Sequence, residues 1–204
     1  MRIYDKDIRK ILINKISEQQ EFVSDPSTVI VHEMDICIGC ARADIAVING
    51  KIHGYEIKSE QDNLERLSSQ VEFYNKVFDT VTLVTSEKHS SKAVDIIPDW
   101  WGLDCVTTNN KNVYIELKRF PQENKGVEVF YLSQLLWKQE LFELLKQNGI
   151  SRGIKSKTRY ELGKIVEDNI KFTDVSAFVR HRLKNRKSWK ALQLQQLCDD
   201  LYRS

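Results

Sequence analysis

Two β-forming segments on either side of Asn49-Gly50 constrain the fold more than any other feature of the chain. Residues 43–48 and 51–59 are rich in apolar and β-branched side chains, which favours strands. Asn-Gly is the strongest short signal for a hairpin turn, because both residues tolerate a positive φ. We therefore predict an antiparallel strand pair in the first third of the chain.

The remaining pattern predicts an α/β core followed by helices. Ahead of residue 120 the predicted elements are a helix at 4–21, a strand at 28–34, the hairpin, a helix at 62–78 and strands at 80–85, 103–107 and 113–117. Beyond it the predicted helices are 132–148, 157–169, 173–185 and 188–202. This α-β-β-β-α-β order predicts a core in residues 1–120 and an all-helical C-terminal extension in residues 127–204.

Charge is distributed unevenly along the chain. Residues 151–204 hold 13 Lys and Arg against 6 Asp and Glu, whereas residues 1–150 hold 18 against 23. No run approaches the ~18 uninterrupted apolar residues that a membrane span needs, and charges interrupt the apolar positions at the N-terminus. We expect a cytoplasmic protein without membrane association, whose basic C-terminal part binds a polyanion.

Two acids and a lysine fall on the predicted hairpin. Asp44 lies on the first strand, Glu56 and Lys58 share a face of the second, and pairing about the turn brings them together. Carboxylates placed this way can hold Mg²⁺ or Mn²⁺, which polarises a phosphate and activates water. The amine can stabilise the developing negative charge, and the carbonyl of Ile57 is a natural further ligand.

The same spacing recurs at Asp104, Glu116 and Lys118, so spacing alone does not identify a site. The first set is preferred because it lies on apolar segments that look buried, where charges are costly unless they bind something. A predicted helix then follows, with more polar groups on a single face. These groups recur every four residues, and the last two are Gln70 and Tyr74.

Residues 42–74 resemble the core of the PD-(D/E)XK nuclease superfamily in its RecB-like form, and are most similar to a small stand-alone bacterial and phage branch. That form carries Asp on one strand, E-x-K on the next and Q-x-x-x-Y on the following helix. The resemblance implies a restriction-endonuclease-like fold, with a mixed central sheet flanked by helices. It also implies a Mg²⁺- or Mn²⁺-dependent deoxyribonuclease of DNA repair, restriction or phage conflict.

Site roles follow from the resemblance position by position. Asp44 and Glu56 would bind the metal, and Lys58 would be the catalytic lysine. Gln70 and Tyr74 would orient the site or the DNA backbone. An additional acidic ligand would be Glu33. The proline of the family's name is absent, since Ala43 precedes the aspartate.

Simpler interpretations of the same residues stay open. Asp44, Glu56 and Lys58 can form a structural ion pair with a spare acid, although buried ion pairs stabilise weakly. Gln70 can be a solvated helix residue, and Glu33 can be an ordinary strand-end residue.

Basic residues cluster in the C-terminal region, at the start of the predicted helix 157–169 and again at 180–187. The N-cap of that helix is Ser156 or Thr158, and backbone N–H groups at a helix start favour phosphate. The residues expected to contact the DNA backbone are Lys155, Lys157, Arg159, Arg180, Arg182, Lys184, Arg186 and Lys187. Such contacts provide affinity without sequence specificity. A basic face that is merely solvated is the alternative.

Two other classes of function compete with a nuclease. One is a catalytically silent DNA-binding or regulatory protein that keeps the nuclease fold. The other is a protein-partner role, such as an inhibitor or immunity protein, which needs an acidic or apolar docking face. A homodimer or a protein partner is compatible with either.

Overall fold

The computed structural model describes residues 3–109, 112–186 and 191–193, which form an α/β protein around one mixed sheet. The strands in these residues are β1 (Val29–Ile36), β2 (Ala41–Ile48), β3 (Ile52–Lys58), β4 (Thr80–Ser86), β5 (Gly102–Asn109), β6 (Asn112–Arg119) and β7 (Ala191–Gln193). The helices are α1 (Asp5–Glu18), α2 (Gln20–Val23), α3 (Leu67–Tyr74), α4 (Glu87–Val94), α5 (Val129–Ser133), α6 (Lys138–Gln147), α7 (Arg159–Asn169) and α8 (Phe172–Asn185). The strand order is β6-β5-β4-β3-β2-β1-β7, and the predicted α/β class is confirmed.

The predicted hairpin is the antiparallel pair of β2 and β3. Ile48 pairs with Ile52, and the side chain of Asn49 closes the connection by accepting a hydrogen bond from Lys51 N at 2.9 Å. The turn conformation differs from the expectation, because neither Asn49 nor Gly50 has a positive φ. A turn closed by an asparagine side chain does not require a left-handed backbone, so the hairpin forms with a different turn conformation from the one expected.

Helical crossovers join the parallel strands at the centre of the sheet. β3, β4 and β5 run parallel, with α3 and α4 in the connections between them, because parallel neighbours need a long crossover. The sequence analysis predicts no helix between the strands at 80–85 and 103–107, and α4, which contains His89, is therefore an addition to the predicted elements. Only His89 and Ala93 of α4 are buried, so its apolar periodicity is too weak to reveal a helix.

Helices cover both faces of the sheet. α1 packs on one face through Ile8, Leu12 and Ile16, which are completely buried against strand residues such as Ile45 and Ile57. α3 and the C-terminal helices cover the other face. Alternate residues of a strand point to opposite faces, so β3 and β4 contribute to both clusters and are buried throughout.

The C-terminal region contains helices α5 to α8, of which α7 and α8 match the predicted helices 157–169 and 173–185. The predicted helix 132–148 is interrupted, because α5 ends at Ser133 and α6 begins at Lys138. The region also returns to the sheet. Residues 191–193 lie in the segment predicted as helix 188–202, and they instead form β7, which pairs antiparallel with β1. The all-helical expectation is therefore wrong for this segment, because β1 would otherwise leave its outer N–H and C=O groups unpaired. The remainder of the predicted helix lies outside the described residues. No helix in the described part of the chain is long and apolar enough to cross a membrane.

Candidate functional site

The sheet brings the predicted acids together in a cleft of about 570 Å³ on the side of α3. Ile45 is paired with Tyr55, and one step beyond that pair Asp44 and Glu56 stand on the opposite face of the strands. Lys58 follows two residues later on the same face. Asp44, Glu56 and Lys58 all line this cleft, as the hairpin pattern predicts.

Glu56 accepts hydrogen bonds from three side chains. Lys58 Nζ contacts Glu56 Oε1 at 2.8 Å, and both side chains are over nine-tenths buried. Gln70 Nε2 donates to the same oxygen, while Tyr74 Oη donates to Oε2. Gln70 and Tyr74 can both reach the carboxylate because they are four residues apart on α3 and so lie on one face of the helix.

Asp44 is held by a residue that sequence reasoning missed, Arg9 of α1. The Arg9 guanidinium donates to Asp44 Oδ1 at 2.6 Å and to the Asp44 carbonyl at 2.9 Å. It also contacts Asp5 at 2.6 Å and Glu33 at 2.7 Å. The second carboxylate oxygen of Asp44 accepts from Ile57 N at 2.8 Å.

Glu33 stands opposite Asp44, between paired positions of β1 and β2. Its carboxylate contacts Arg9 on one side and Arg42 Nε, at 3.1 Å, on the other. Its φ is +52°, a left-handed conformation that costs a residue with a side chain on the order of 1 kcal/mol or more. The ion pairs to two arginines stabilise this unfavourable backbone.

Burial dominates the electrostatics of the cleft. It raises the pKa of Asp44 to about 7, and the neighbouring charge of Glu56 acts in the same direction. The backbone N–H of Ile57 and the guanidinium of Arg9 oppose this rise. Burial beside Glu56 also raises the pKa of Tyr74 well above its ordinary value, so its hydroxyl remains a hydrogen-bond donor.

The cleft does not fit a divalent cation in this arrangement. The carboxylates of Asp44, Glu56 and Glu33 already accept bonds from protein donors, and Arg9 supplies the positive charge among them. Within residues 3–109, 112–186 and 191–193, no group of three or more His, Cys, Asp or Glu is placed to hold a metal ion. The Mg²⁺ or Mn²⁺ ligand set, including the Ile57 carbonyl, stays a prediction.

The second copy of the spacing does not form a cluster. Asp104 pairs with Leu117 across β5 and β6, so these two side chains share a face of the sheet. Glu116 and Lys118 alternate with Leu117 and point to the other face, where they contact each other at 2.7 Å. Of the two sets, the fold of the described residues brings together Asp44, Glu56 and Lys58 and separates Asp104 from Glu116 and Lys118.

The predicted basic cluster at the start of α7 is only partly open. Thr158 is the N-cap, and Glu161 closes a capping box with it. Lys157 contacts Glu161 at 2.8 Å, and Arg159 donates to the carbonyl of Gln134. The first turn of α7 thus holds its own carboxylate, which competes with an incoming phosphate. Lys155 is exposed and makes no ion pair in the described part of the chain.

The basic residues of α8 and its C-cap contact acids of the same chain. Their partners are Asp79 for Arg180 at 3.9 Å, Glu143 for Arg182, Asp25 for Lys184 at 3.3 Å and Glu140 for Arg186. These contacts attach α8 to the rest of the protein, so the cations offer less charge to DNA than their number suggests. Lys187 lies outside the described residues.

Two further cations accompany Lys155, and the sequence analysis passed over both. Lys146 lies in the last turn of α6, and Arg152 lies in the loop before α7. Lys146, Arg152 and Lys155 are exposed and have no ion-pair partner in the described ranges. We name these three residues the α6–α7 basic segment. Arg152 and Lys155 have no acid three or four residues away, so their signal was present in the sequence. Lys146 has Glu143 three residues before it, and only the structure shows that Glu143 contacts Arg182 instead.

Comparisons with known proteins identify one family. The family model described as "Bacteriophage P4 protein cII" matches residues 2–201. The chain is also 27% identical over 157 residues to "Protein cII" of Enterobacteria phage P4. That alignment covers 77% of this chain and 59% of the phage protein. No solved structure matches the chain.

These matches correct the resemblance to PD-(D/E)XK nucleases. The family that spans almost the whole chain is that of protein cII, so the PD-(D/E)XK assignment and the nuclease function drawn from it are wrong. The motif misled because it is short, and because its residues satisfy one another. Lys58, Gln70 and Tyr74 all bind Glu56, which gives this pattern a structural reason to exist.

Proposed function

Because the chain belongs to the bacteriophage P4 protein cII family, we propose that it is a regulatory protein that binds DNA without cleaving it. The aligned region spans about three fifths of the curated relative, so this role is proposed for the described fold and its surfaces. Compared with the function expected from the sequence, this proposal retains DNA as the partner and no longer includes hydrolysis of its phosphodiester bonds.

One contrast between two groups of charges carries the proposal. In the cleft, each of the acids Asp44, Glu56 and Glu33 is bound by a cation of the same chain. In the α6–α7 basic segment, no cation has such a partner within the described residues. Unpaired, exposed cations release counterions when they meet phosphate, which is the main source of sequence-independent affinity for DNA.

The proposal also includes the finer assignment of the fold. An antiparallel β1–β3 unit continues into parallel β3–β5, with α1 on one face and α3 on the other. This arrangement supports the interpretation that the protein retains a restriction-endonuclease-like core as a scaffold. The acids of the cleft then contact Arg9 and Lys58 of the same chain, and they have no role in hydrolysis.

Fluorescence anisotropy with a labelled DNA duplex tests the proposal. The variant Lys146→Gln/Arg152→Gln/Lys155→Gln removes the α6–α7 basic segment. We expect it to bind about tenfold or more weakly, and its slope of log affinity against log salt to fall by about 2 to 3, since each phosphate contact contributes about 0.9.

A matched control separates the segment from net charge. Lys6→Gln/Lys10→Gln/Lys92→Gln removes three exposed cations of α1 and α4 that also lack partners in the described chain. This control should bind DNA like the unchanged protein. Equal losses in both variants would mean that only overall charge matters, and would contradict a defined DNA-binding segment.

The same samples address hydrolysis and the metal expectation. Linear, circular and single-stranded DNA are incubated with the protein in Mg²⁺, Mn²⁺ or EDTA, beside a Glu56→Ala variant. We expect intact DNA in every lane. Metal-dependent cleavage that disappears in Glu56→Ala would overturn the proposal, whereas binding that ignores both metal and mutation supports it.

A further inference from the structure

A second cavity lies on the face of the sheet opposite the acidic cleft. Its volume is about 420 Å³, within the usual range for small-molecule sites. The floor is formed by residues of β3, β4 and β5, and the wall by the end of α1 and by α2. The rim is formed by the end of β6 and the two residues that follow it. No residue lining it takes part in the ion pairs around Arg9 and Glu56.

Asp104 is the most unusual group in this cavity. Its side chain is 3% exposed, and Lys15 Nζ contacts Oδ2 at 2.6 Å. The other oxygen, Oδ1, is buried and has no hydrogen-bond partner among the described residues. A buried carboxylate oxygen without a donor is costly, so Oδ1 is a strong acceptor for a ligand that brings one.

Two hydroxyls beside Asp104 are also unused. Tyr55 and Thr82 line the cavity and are nearly buried, and their side-chain hydroxyls make no hydrogen bond within the described chain. His53, by contrast, is engaged with Thr80 Oγ1 at 2.6 Å and completes one wall. Among the described residues, the cavity therefore presents the unpartnered Asp104 Oδ1 and two unused hydroxyls to a ligand.

The rim of the cavity is apolar and flat. Leu117, Phe120 and Pro121 line it, and Phe120 is 73% exposed, the highest exposure among the large apolar side chains of the described residues. An exposed aromatic ring beside a polar cavity can stack on a planar heterocycle. Leu117 adds apolar area below the ring, so the site combines stacking with hydrogen-bond acceptance.

We propose that this cavity binds a free nucleobase or nucleoside that carries an exocyclic amine. The amine donates to Asp104 Oδ1, as carboxylates accept from amino groups of bases, and the ring stacks on Phe120. Tyr55 and Thr82 bind a second polar position of the base. A nucleotide is disfavoured, because the carboxylates of Asp104 and Glu21 line the cavity and Lys15 is the one cation among its described lining residues.

The site does not depend on the proposed DNA binding. Its lining residues all lie between residues 15 and 121, whereas the α6–α7 basic segment lies at 146–155. A bound base would give a regulatory protein a small-molecule signal. Failure of one proposal therefore leaves the other standing, and separate variants report on each.

Calorimetric titration and thermal melting of the full chain test the ligand. Guanosine, adenosine and cytidine carry the exocyclic amine, thymidine lacks it, and guanosine monophosphate adds an anion. We expect an amine-bearing nucleoside to raise Tm by about 2 to 4 °C at ten times its Kd. Thymidine and the monophosphate are each expected to bind at least about tenfold more weakly. Thymidine lacks the amine that donates to Asp104, and the phosphate of the monophosphate is repelled by the carboxylates of the cavity.

Three variants assign the binding to this cavity. Asp104→Asn keeps the shape but replaces the ionic acceptor, and should weaken binding about tenfold or more. Phe120→Ser changes an exposed residue, so the variant should fold normally. Its affinity for the nucleoside should fall about tenfold, because the stacking ring is removed. Tyr114→Ser is the control, because Tyr114 is another exposed aromatic residue, on β6 and outside the cavity, and this variant should bind the nucleoside as the unchanged protein does.

Three results would overturn the proposal. The first is that no nucleoside changes Tm or produces heat at millimolar concentration. The second is that Phe120→Ser and Tyr114→Ser bind equally, which would put the ligand elsewhere. The third is that a guanine-containing single-stranded oligonucleotide displaces guanosine, since the ligand would then be a base within a strand and not a free molecule.

Discussion

Arg9 is the residue on which the charge balance of the acidic cleft depends. It contacts Asp5, Glu33 and Asp44, and it also binds the Asp44 carbonyl. Three carboxylates that converge without a cation would repel one another, and the partial burial of these carboxylates strengthens that repulsion. The guanidinium suits this position because its five N–H groups serve several oxygens at once. Arg9 thus allows Asp44 to remain beside Glu56 in a buried strand pair.

Asp44 supplies the first residue-scale prediction, a stability that depends on pH. Burial raises the pKa of Asp44 to about 7, above its ordinary value near 4. The ionised form is therefore disfavoured by folding, so this group lowers stability progressively as pH rises from about 4 to 7. The variant Asp44→Asn mimics the neutral acid. At pH 8 we expect its free energy of unfolding to exceed that of the unchanged protein by about 1 to 3 kcal/mol. At pH 4 we expect the two free energies of unfolding to be equal.

Urea unfolding of both proteins between pH 4 and 8 measures this difference. Asp35→Asn is the control, because Asp35 is an exposed acid of the same cleft, and it should change stability by less than about 0.5 kcal/mol at any pH. A stabilisation by Asp44→Asn that does not vary with pH would show that ionisation of Asp44 is not its cause.

At the scale of elements, β3 is a strand whose two faces serve different purposes. Glu56 and Lys58 point toward α3 and the acidic cleft, whereas Tyr55 points to the cavity beside α1. Gly54 lies on the α3 face, where the ring of Phe78 packs directly on it. α3 can approach the sheet closely at this point, which brings Gln70 and Tyr74 within reach of Glu56.

Two glycines of the hairpin should therefore respond oppositely to alanine. A Cβ at Gly54 would lie 2.9 Å from the Phe78 ring, so Gly54→Ala should destabilise the protein by about 1 to 3 kcal/mol through overpacking. A Cβ at Gly50 would meet nothing within 4 Å, and its φ is not positive. Gly50→Ala should be neutral or stabilise by up to about 1 kcal/mol, because it restricts the unfolded chain.

Thermal and urea unfolding of the two single variants measure these effects. Strong destabilisation by Gly50→Ala would mean that the turn requires the left-handed backbone that the Asn-Gly pair suggests. No effect of Gly54→Ala would mean that α3 can move away from β3. In that case the hydrogen bonds of Gln70 and Tyr74 to Glu56 would not depend on close packing.

At the scale of the whole molecule, the sheet and the C-terminal helices share one hydrophobic core. Leu145 of α6, Leu162 of α7 and Val179 of α8 are buried in the same cluster as Val81 of β4. Arg180 and Lys184 extend this attachment to Asp79 and Asp25 at the sheet. The division into a core at 1–120 and an extension at 127–204 stays a prediction, but the packing favours one cooperative unit.

Leu145→Ala tests whether the chain unfolds as one unit. Removing a buried leucine should cost about 2 to 5 kcal/mol. Native-state hydrogen exchange should then show that protection falls equally for amides of β4 and of α6–α8, because global unfolding exposes both. Reduced protection restricted to α6–α8 would instead establish a separate C-terminal domain.

Local signals in the sequence determined the strands of the hairpin, the helix that follows, and the convergence of Asp44, Glu56 and Lys58. Alternation, helical spacing and turn residues act over a few neighbouring positions, so a single segment is enough to reveal them. The helical character of α6 to α8 was equally visible. α4 was not, because its burial involves only two residues and leaves no periodic pattern.

The tertiary structure alone decided which charges are paired. Arg9 meets Asp44 across 35 residues, Lys184 meets Asp25 across 159, and Lys15 meets Asp104 across 89. Ion pairs at such separations depend on how the chain folds back on itself, and no local pattern encodes them. For this reason the sequence marked α8 as a DNA-binding helix, although its cations face acids of the same chain. The same long-range packing left Asp104 Oδ1 without a partner in a cavity that no motif predicts.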